Sequence, residues 1–237
     1  MSVFTIGDLH LSLASDKPMD KFHGWENYVE RLRENWSASV TPDDTVILPG
    51  DLSWAMSLDE SKTDLAFLNE LNGTKILLKG NHDYWWNTVS KMNAFFSANG
   101  FDSLRLLFNC AYAVEGKAVA GTRGWFFDDN SPDAELVILR EAGRLRRSLE
   151  EAQTLADETI AFLHYPPVSQ GRTCREIVDV LNEFGIKRCY FGHLHGFVSP
   201  ENADFTAGGI HYTLVSADHL AFRPLPLYSR ESTENVT

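Results

Sequence analysis

Gly192-His193-Leu194-His195 is the stretch on which the reading of this chain turns. Two histidines stand one residue apart, with Gly192 and Gly196 on either side. The apolar run Cys189-Tyr190-Phe191 precedes them, so a buried strand is expected to end there and a loop to begin. Imidazole is largely unprotonated at neutral pH and is the commonest protein ligand for metals. The flanking glycines would let the backbone turn and aim both rings at one place. By itself a His-x-His pair fits a half-exposed loop as well as a metal site. Four upstream stretches decide between the two.

Each of them repeats the pattern of an apolar strand followed by polar residues. Val3-Phe4-Thr5-Ile6 runs into Gly7-Asp8-Leu9-His10, where extended backbone would point Asp8 and His10 to the same side. Thr45-Val46-Ile47-Leu48 ends in Pro49-Gly50-Asp51. Lys75-Ile76-Leu77-Leu78 runs into Lys79-Gly80-Asn81-His82-Asp83, a row of ligand and acid–base types that packing alone does not explain. Thr159 to Leu163 ends in His164-Tyr165-Pro166-Pro167, whose prolines cannot continue a ladder.

Helical patterns separate these strands. Residues 20–38 carry Phe22, Trp25, Tyr28, Val29, Leu32 and Trp36 at three- and four-residue spacing, a stripe that reads as core. Ser57 with Glu60 fits a capping box opening a helix that reaches about Leu71. Trp85 to Phe96 and residues 173–184 show further helical faces. Residues 104–120 read as short strands with a hairpin at Glu115-Gly116-Lys117. Ser131 and Pro132 suit the start of a helix to about Ala156, whose Arg140, Arg144, Arg146 and Arg147 alternate with glutamates, a pattern that reads as a solvated face in preference to a phosphate-binding surface. Residues 209–222 read as more strands, and the polar tail from Ser229 as frayed.

With 237 residues, no repeat and no linker, one domain over 1–237 is expected, with 121–156 either capping the site or packing along its side. Net charge is -12, which counts against nucleic acid and anionic membranes as partners. No apolar run is long enough to span a bilayer, and no secretory leader is read at the start. Cys110, Cys174 and Cys189 are far apart and odd in number, as expected of free thiols in a reducing compartment. A cytoplasmic location is the expectation that follows.

Five strand ends thus carry Asp8/His10, Asp51, Asn81/His82, His164 and His193/His195. In α/β folds the carboxyl ends of strands form one rim, where sites are built. The donors are nitrogen and oxygen without thiolate, which suits manganese, iron or zinc in an open site. Setting His82 aside, the remaining candidates exceed the needs of one ion and suit two, about 3.5–4 Å apart, with Asp51 shared. Two divalent ions against Asp8, Asp51 and a bridging hydroxide leave net positive charge, which would draw in a phosphate ester. Attack by that hydroxide needs a proton or a cation for the leaving oxygen, and His82 could supply either. Arg123, in a glycine-flanked loop with Trp125, could hold phosphate and stack a ring, although an ordinary loop fits it equally. Trp54, Tyr84 and Tyr165 follow ligand positions closely enough to wall a pocket, or to pack in the core. His211 and His219 read as structural, and His23 has no evident partner.

In order and spacing, Asp8-x-His10, Gly50-Asp51, Gly80-Asn81-His82-Asp83, His164 and Gly192-His193-Leu194-His195 resemble the five signature motifs of the calcineurin-like metallophosphoesterases. The wording around Gly50 and Gly80 looks most like bacterial predicted phosphohydrolases of that superfamily. The resemblance implies a four-layer αββα sandwich of two mixed sheets flanked by helices. It implies that Asp8, His10, Asp51 and His195 hold one metal and that Asp51, Asn81, His164 and His193 hold the other. It also places His82 beside the scissile phosphate. Protein phosphatases of the superfamily carry a second Asp and an Arg after the Gly-Asp motif. Here Trp54 and Ala55 stand there, against that activity and leaving the orienting partner of His82 open. Adjacent side chains in extended backbone point apart, so Asp83 is not assigned that role.

The expected activity is hydrolysis of a small phosphate ester. A phosphomonoesterase and a phosphodiesterase or nucleotide hydrolase both fit, and the aromatic residues lean toward the second. A nuclease would need a long basic stripe, which is lacking. A metal-binding scaffold without catalysis would be expected to have lost ligands, and every position is filled.

Overall fold

The computed structural model describes residues 1–125, 134–169 and 171–229. The first half runs β1 (Ser2–Thr5), α1 (Tyr28–Ser39), β2 (Thr45–Pro49), α2 (Lys62–Glu70), β3 (Thr74–Leu78), α3 (Val89–Asn99) and β4 (Leu104–Leu106). A hairpin follows, β5 (Ala111–Val114) and β6 (Lys117–Thr122), and then α4 (Ala134–Gln153) and β7 (Thr159–Leu163). The short pair β8 (Val168–Ser169) and β9 (Arg172–Thr173) leads to α5 (Arg175–Glu183) and β10 (Arg188–Phe191). The chain closes with α6 (Pro200–Ala203), β11 (Asp204–Ala207), β12 (Ile210–Leu214) and β13 (Leu225–Ser229).

These strands make two large mixed sheets, ordered β13-β1-β2-β3-β4 and β11-β12-β10-β7-β6-β5. Alternation along the strands explains the layering, because successive side chains leave opposite faces of a sheet. Val3, Ile47, Ile76 and Leu78 of the first sheet meet Val119, Ile160, Phe162 and Tyr190 of the second in one core. Their neighbours Phe4, Val46, Leu48 and Leu77 face outward onto Leu32, Trp36, Leu65, Leu68, Met92 and Phe96 of α1, α2 and α3. On the far side, Ala118, Ala120, Ala161 and Leu163 pack on Leu145, Leu149, Ile177 and Leu181 of α4 and α5. Each large aliphatic side chain so buried contributes about 1.5–3 kcal/mol. Three cores between four layers are the αββα sandwich expected from the sequence. Residues 126–133 of the 121–156 segment lie outside the described residues, and α4 packs along the side of the second sheet.

β1, β2, β3 and β4 run parallel, as do β6, β7, β10 and β12. The two rims meet through a bridge in which Gly7 donates to the Val215 carbonyl at 2.7 Å and Ala217 donates to the Gly7 carbonyl at 2.9 Å. Residues spread over the whole chain are thereby brought to one edge.

Some elements differ from the reading of the sequence. The helix expected from residue 20 begins at Tyr28, because Gly24 and Asn27 take left-handed backbone at φ 89° and 51°. Trp25 is still buried by the preceding turns, but Phe22, read as part of the same core stripe, is exposed because no helix turns it inward. The Ser57/Glu60 hydrogen bonds form, Glu60 N–H to Ser57 at 3.3 Å and Met56 N–H to Glu60 at 2.9 Å. They close the turn before α2 rather than capping its first residue. β13 hides behind Pro226, which is tolerated because the strand is an edge and its pairing with β1 shifts register there. Beyond Ser229 the expected frayed tail lies outside the described residues.

Candidate metal centre

The loops after β1 and β2 run side by side beyond their strands. Asp8 N–H donates to the Gly50 carbonyl at 2.9 Å, His10 N–H to that of Asp51 at 3.0 Å, and Leu11 N–H to that of Leu52 at 2.9 Å. Neither Asp8 nor His10 is extended, as their spacing suggested. Asp8, His10, Asp51 and His193 have φ of 55°, 45°, 51° and 72°, in the left-handed region. Such backbone is disfavoured for residues with a Cβ and gathers at functional sites, where surrounding bonds hold it in place. At the Gly-His-x-His stretch the turn is therefore made by His193 itself together with Gly196, whose φ is 70°. Gly192 has a different task, since a Cβ there would overlap the Asp8 carboxylate. Gly80 does the same for Asp51.

All seven expected ligands converge. Donor atoms of Asp8, His10 and His195 lie within 4.8 Å of one another, and so do those of Asp51, His164 and His193. In the first group His10 Nε2 and His195 Nε2 face each other at 3.0 Å, with Asp8 Oδ1 3.5 Å from His195 Nε2. In the second, Asn81 Oδ1 sits 2.6 Å from His164 Nε2 and 3.0 Å from His193 Nδ1. Asp51 Oδ2 stands between the groups, 3.7 Å from His10 Nε2 and 3.5 Å from His164 Nε2. Imidazole nitrogens and buried carboxylate oxygens gathered at common points, in cradles that admit no Cβ, with His195 at the open side, fit metal ions.

The electrostatics agree. Burial holds His10 well below the usual imidazole range and His193 down at about 3, so both rings stay unprotonated. Burial, and then the charge of Asp8, pushes Asp51 up to about 8. Burial would also raise Asp8, but its bond to His195 and the charges of His164, His195 and His10 hold it at about 2. His195 goes the other way: burial is outweighed by bonds to Asp218 and Asp8, which raise it to about 10.

Two supporting residues escaped the sequence reading. Asp218 accepts from His195 Nδ1 at 3.0 Å and from the Gly196 N–H at 2.8 Å. Ser216 donates to Asp8 Oδ2 at 3.1 Å. Both follow β12, the parallel neighbour of β10, so a further strand end bearing Ser-x-Asp was the available signal. Asp83 does not touch the His82 ring; it accepts backbone N–H groups from Asp51, Leu52, Ser53 and Gly80.

His82 is half-buried beside the first group, its ring centroid 5.6 Å from that of His10 and 4.4 Å from that of Trp54. Its Nδ1 is buried and without a hydrogen-bond partner. Trp54 stacks on His10 at 4.8 Å, Tyr165 lies 4.4 Å from His193, and Tyr84 is exposed 6.2 Å from His82. Arg123 follows β6, and its carbonyl accepts from the N–H of His164 at 3.2 Å and of Tyr165 at 2.9 Å. Its guanidinium lies over the Trp125 ring at 4.9 Å. His211 and His219 are at the surface, the former 2.9 Å from Asp204, and His23 is 3.9 Å from Glu26.

Residues 1–197 match the family model described as calcineurin-like phosphoesterase. A comparison with curated proteins gives no match. Among solved structures, a Thermus thermophilus protein aligns with a TM-score of 0.60 at 13% identity, covering 95% of this chain and 97% of that one. The phosphopantetheinyl hydrolase of Mycobacterium tuberculosis aligns at 0.57 and 14% identity, covering 99% and 98%. A protein of unknown function from Aquifex aeolicus aligns at 0.51 and 15% identity, covering 95% of each chain. At these identities the likeness is one of fold.

Proposed function

The chain belongs to the calcineurin-like phosphoesterase family and is a metal-dependent phosphohydrolase, and from that premise we propose that it hydrolyses a small phosphate ester at a dinuclear centre. One relationship carries this reading: Asp51 Oδ2 lies within 3.7 Å of His10 Nε2 and 3.5 Å of His164 Nε2, so one carboxylate serves both donor groups. Asp8, His10, Asp51 and His195 would hold one ion, and Asp51, Asn81, His164 and His193 the other. The nitrogen and oxygen donor set suits manganese, iron or zinc. A pair of such ions makes water nucleophilic near neutral pH and clamps both oxygens of an in-line displacement.

The protein's own groups do the rest. Water adds to phosphorus, the P–O ester bond breaks, and the leaving oxygen takes a proton. His82, beside the first donor group, would give that proton. A buried Nδ1 with no acceptor leaves the ring hydrogen better placed on Nε2, as a donor requires. Burial lowers the His82 pKa first, with the charges of His164 and His195 adding to it, so the ring rests neutral and would first take up a proton, such as the one the attacking water gives up, before passing one to the leaving oxygen. Arg123 would take part of the substrate's negative charge. The rings of Trp54, Tyr84, Tyr165 and Trp125 favour a substrate that carries a ring, a nucleotide or an aromatic diester, over a simple monoester. We read 1–237 as one domain, because Val3, Ile47 and Ile76 share a core with Val119, Ile160 and Phe162. Three free thiols suit the cytoplasm. Among the described residues no helix is long and apolar enough to cross a membrane.

The test is hydrolysis of a nitrophenyl monoester and a bis-nitrophenyl diester by metal-stripped protein titrated with Mn²⁺. Turnover should appear as two ions bind and should favour the diester. Full turnover with one ion per chain would overturn the dinuclear reading.

A further inference from the structure

A cavity of about 470 Å³ opens beside the metal centre, between the loops that follow β3 and β6. Its size falls in the range of about 300–1,000 Å³ usual for small-molecule sites. None of the seven candidate ligands lines it, but its walls adjoin theirs along the chain: Lys79 stands two residues before Asn81, and the Arg123 carbonyl binds the His164 N–H at 3.2 Å.

Its charge is unlike that of the chain. Lys79, Arg123 and Arg144 line it, against Glu141 as the one carboxylate among the described residues of the lining. Glu141 is already well served. It accepts from Thr122 Oγ1 at 2.5 Å and from Arg144 at 2.5 Å, with Arg123 at 3.7 Å. Arg144 therefore does not sit on a solvated helix face, as its alternation with glutamates suggested. Two positive charges remain over in a protein whose net charge is -12. Among the described residues Lys79 makes no hydrogen bond or ion pair, and the cavity walls hold two buried polar atoms with no partner, Arg123 Nε and Asn109 Oδ1. Buried donors normally find partners, so an orphaned guanidinium nitrogen beside an unpaired ammonium marks a place for an anion.

We propose that this cavity is a subsite for a second phosphate-type oxyanion, so that the ester cleaved at the metal centre belongs to a molecule carrying two phosphoryl groups. The inference rests on the dinuclear phosphoesterase reading above for the position of the scissile group. The remaining walls, Leu78, Trp86, Val89, Leu107 and Phe108, give an apolar lining for the part of the molecule between the two phosphates.

Calorimetric titration of the metal-loaded protein with inorganic phosphate tests it. Two classes of site are expected, one abolished by chelation and one surviving it. Lys79→Met should weaken the surviving class about tenfold or more, the effect of losing one charge-assisted hydrogen bond, and Lys79→Arg should restore it. With substrates, the KM of an alkyl bisphosphate should lie below that of the alkyl monophosphate, and Lys79→Met should close the gap while kcat changes less. Phosphate binding that vanishes wholly on chelation, or equal KM values in the unaltered protein, would overturn the subsite. Phosphate binding that ignores chelation but responds to Lys79 would keep the subsite and remove the metal centre as the second phosphate site.

Discussion

Asp83 binds the peptide N–H of Asp51 at 2.9 Å, so the carboxylate next to His82 in sequence serves the metal loop and not the imidazole. It also accepts from Leu52 at 2.9 Å, Ser53 at 3.3 Å, Gly80 at 2.7 Å and the Trp85 indole at 3.0 Å. The loops after β2 and β3 are joined through this one buried side chain. Asparagine in its place has a single acceptor oxygen and turns an NH₂ toward N–H donors. Asp83→Asn should therefore cost about 2–4 kcal/mol, the sum of more than one unsatisfied buried donor. Urea denaturation of the metal-stripped protein measures it, and a loss below about 0.5 kcal/mol, the scale of an ordinary surface change, would contradict this role.

The strands that deliver the site, and the seven candidate ligand positions that converge there, were legible because both rest on local signals. An apolar run that stops at Gly-Asp or Gly-Asn-His says where a buried strand ends and what chemistry stands there. What stayed hidden depends on distant contacts. Asp218 meets His195 across 23 positions, and its one local signal, Ser-x-Asp after β12, does not say which distant side chain it meets. The left-handed backbone at Asp8, His10, Asp51 and His193 is also unreadable, because Asp and His tolerate it better than most residues but adopt it here only where the assembled loops enforce it. Arg144 read as one of a solvated row because its partner Glu141 has the same appearance in sequence as its exposed neighbours.

Asp218 fixes His195 by accepting from Nδ1 at 3.0 Å, which leaves Nε2 facing Asp8 and His10. Removing such an orienting partner typically weakens metal binding about 10–100-fold. Asp218→Ala should do this at the ion held by Asp8, His10 and His195, and leave the ion at Asn81, His164 and His193 nearly unchanged. Competition titration with a chromophoric chelator resolves the two steps. Equal weakening of both would contradict the assignment.

Loading with metal should release protons. Asp51, pushed up to about 8 by burial and then by Asp8, is mostly protonated at pH 7 without metal. His195, raised to about 10 by Asp218 and Asp8 against burial, is protonated too. Both must lose their protons to bind an ion, so affinity should rise with pH up to and beyond about 8 and fall as pH drops below it. Calorimetry at pH 7 in buffers of different ionisation enthalpy should count about two protons released per chain. No dependence on the buffer would show that the two groups are already deprotonated.

Truncating His82 separates its side chain from its backbone. The His82 N–H holds Asp51 Oδ1 at 2.7 Å, and alanine keeps that bond. The ring Nδ1 has no partner, so its removal strands no other group. His82→Ala should therefore retain both metals, whereas Asp51→Ala should lose them. If the ring protonates the leaving oxygen, turnover should fall by about 10²–10⁴, the usual worth of a general acid. The loss should be larger for an alkyl ester, whose alkoxide needs the proton, than for a nitrophenyl ester, whose phenolate leaves without one. Comparing kcat for the two esters in both proteins decides the matter. An equal loss on both would leave His82 stabilising charge without giving up a proton, and loss of metal would return it to the ligand set.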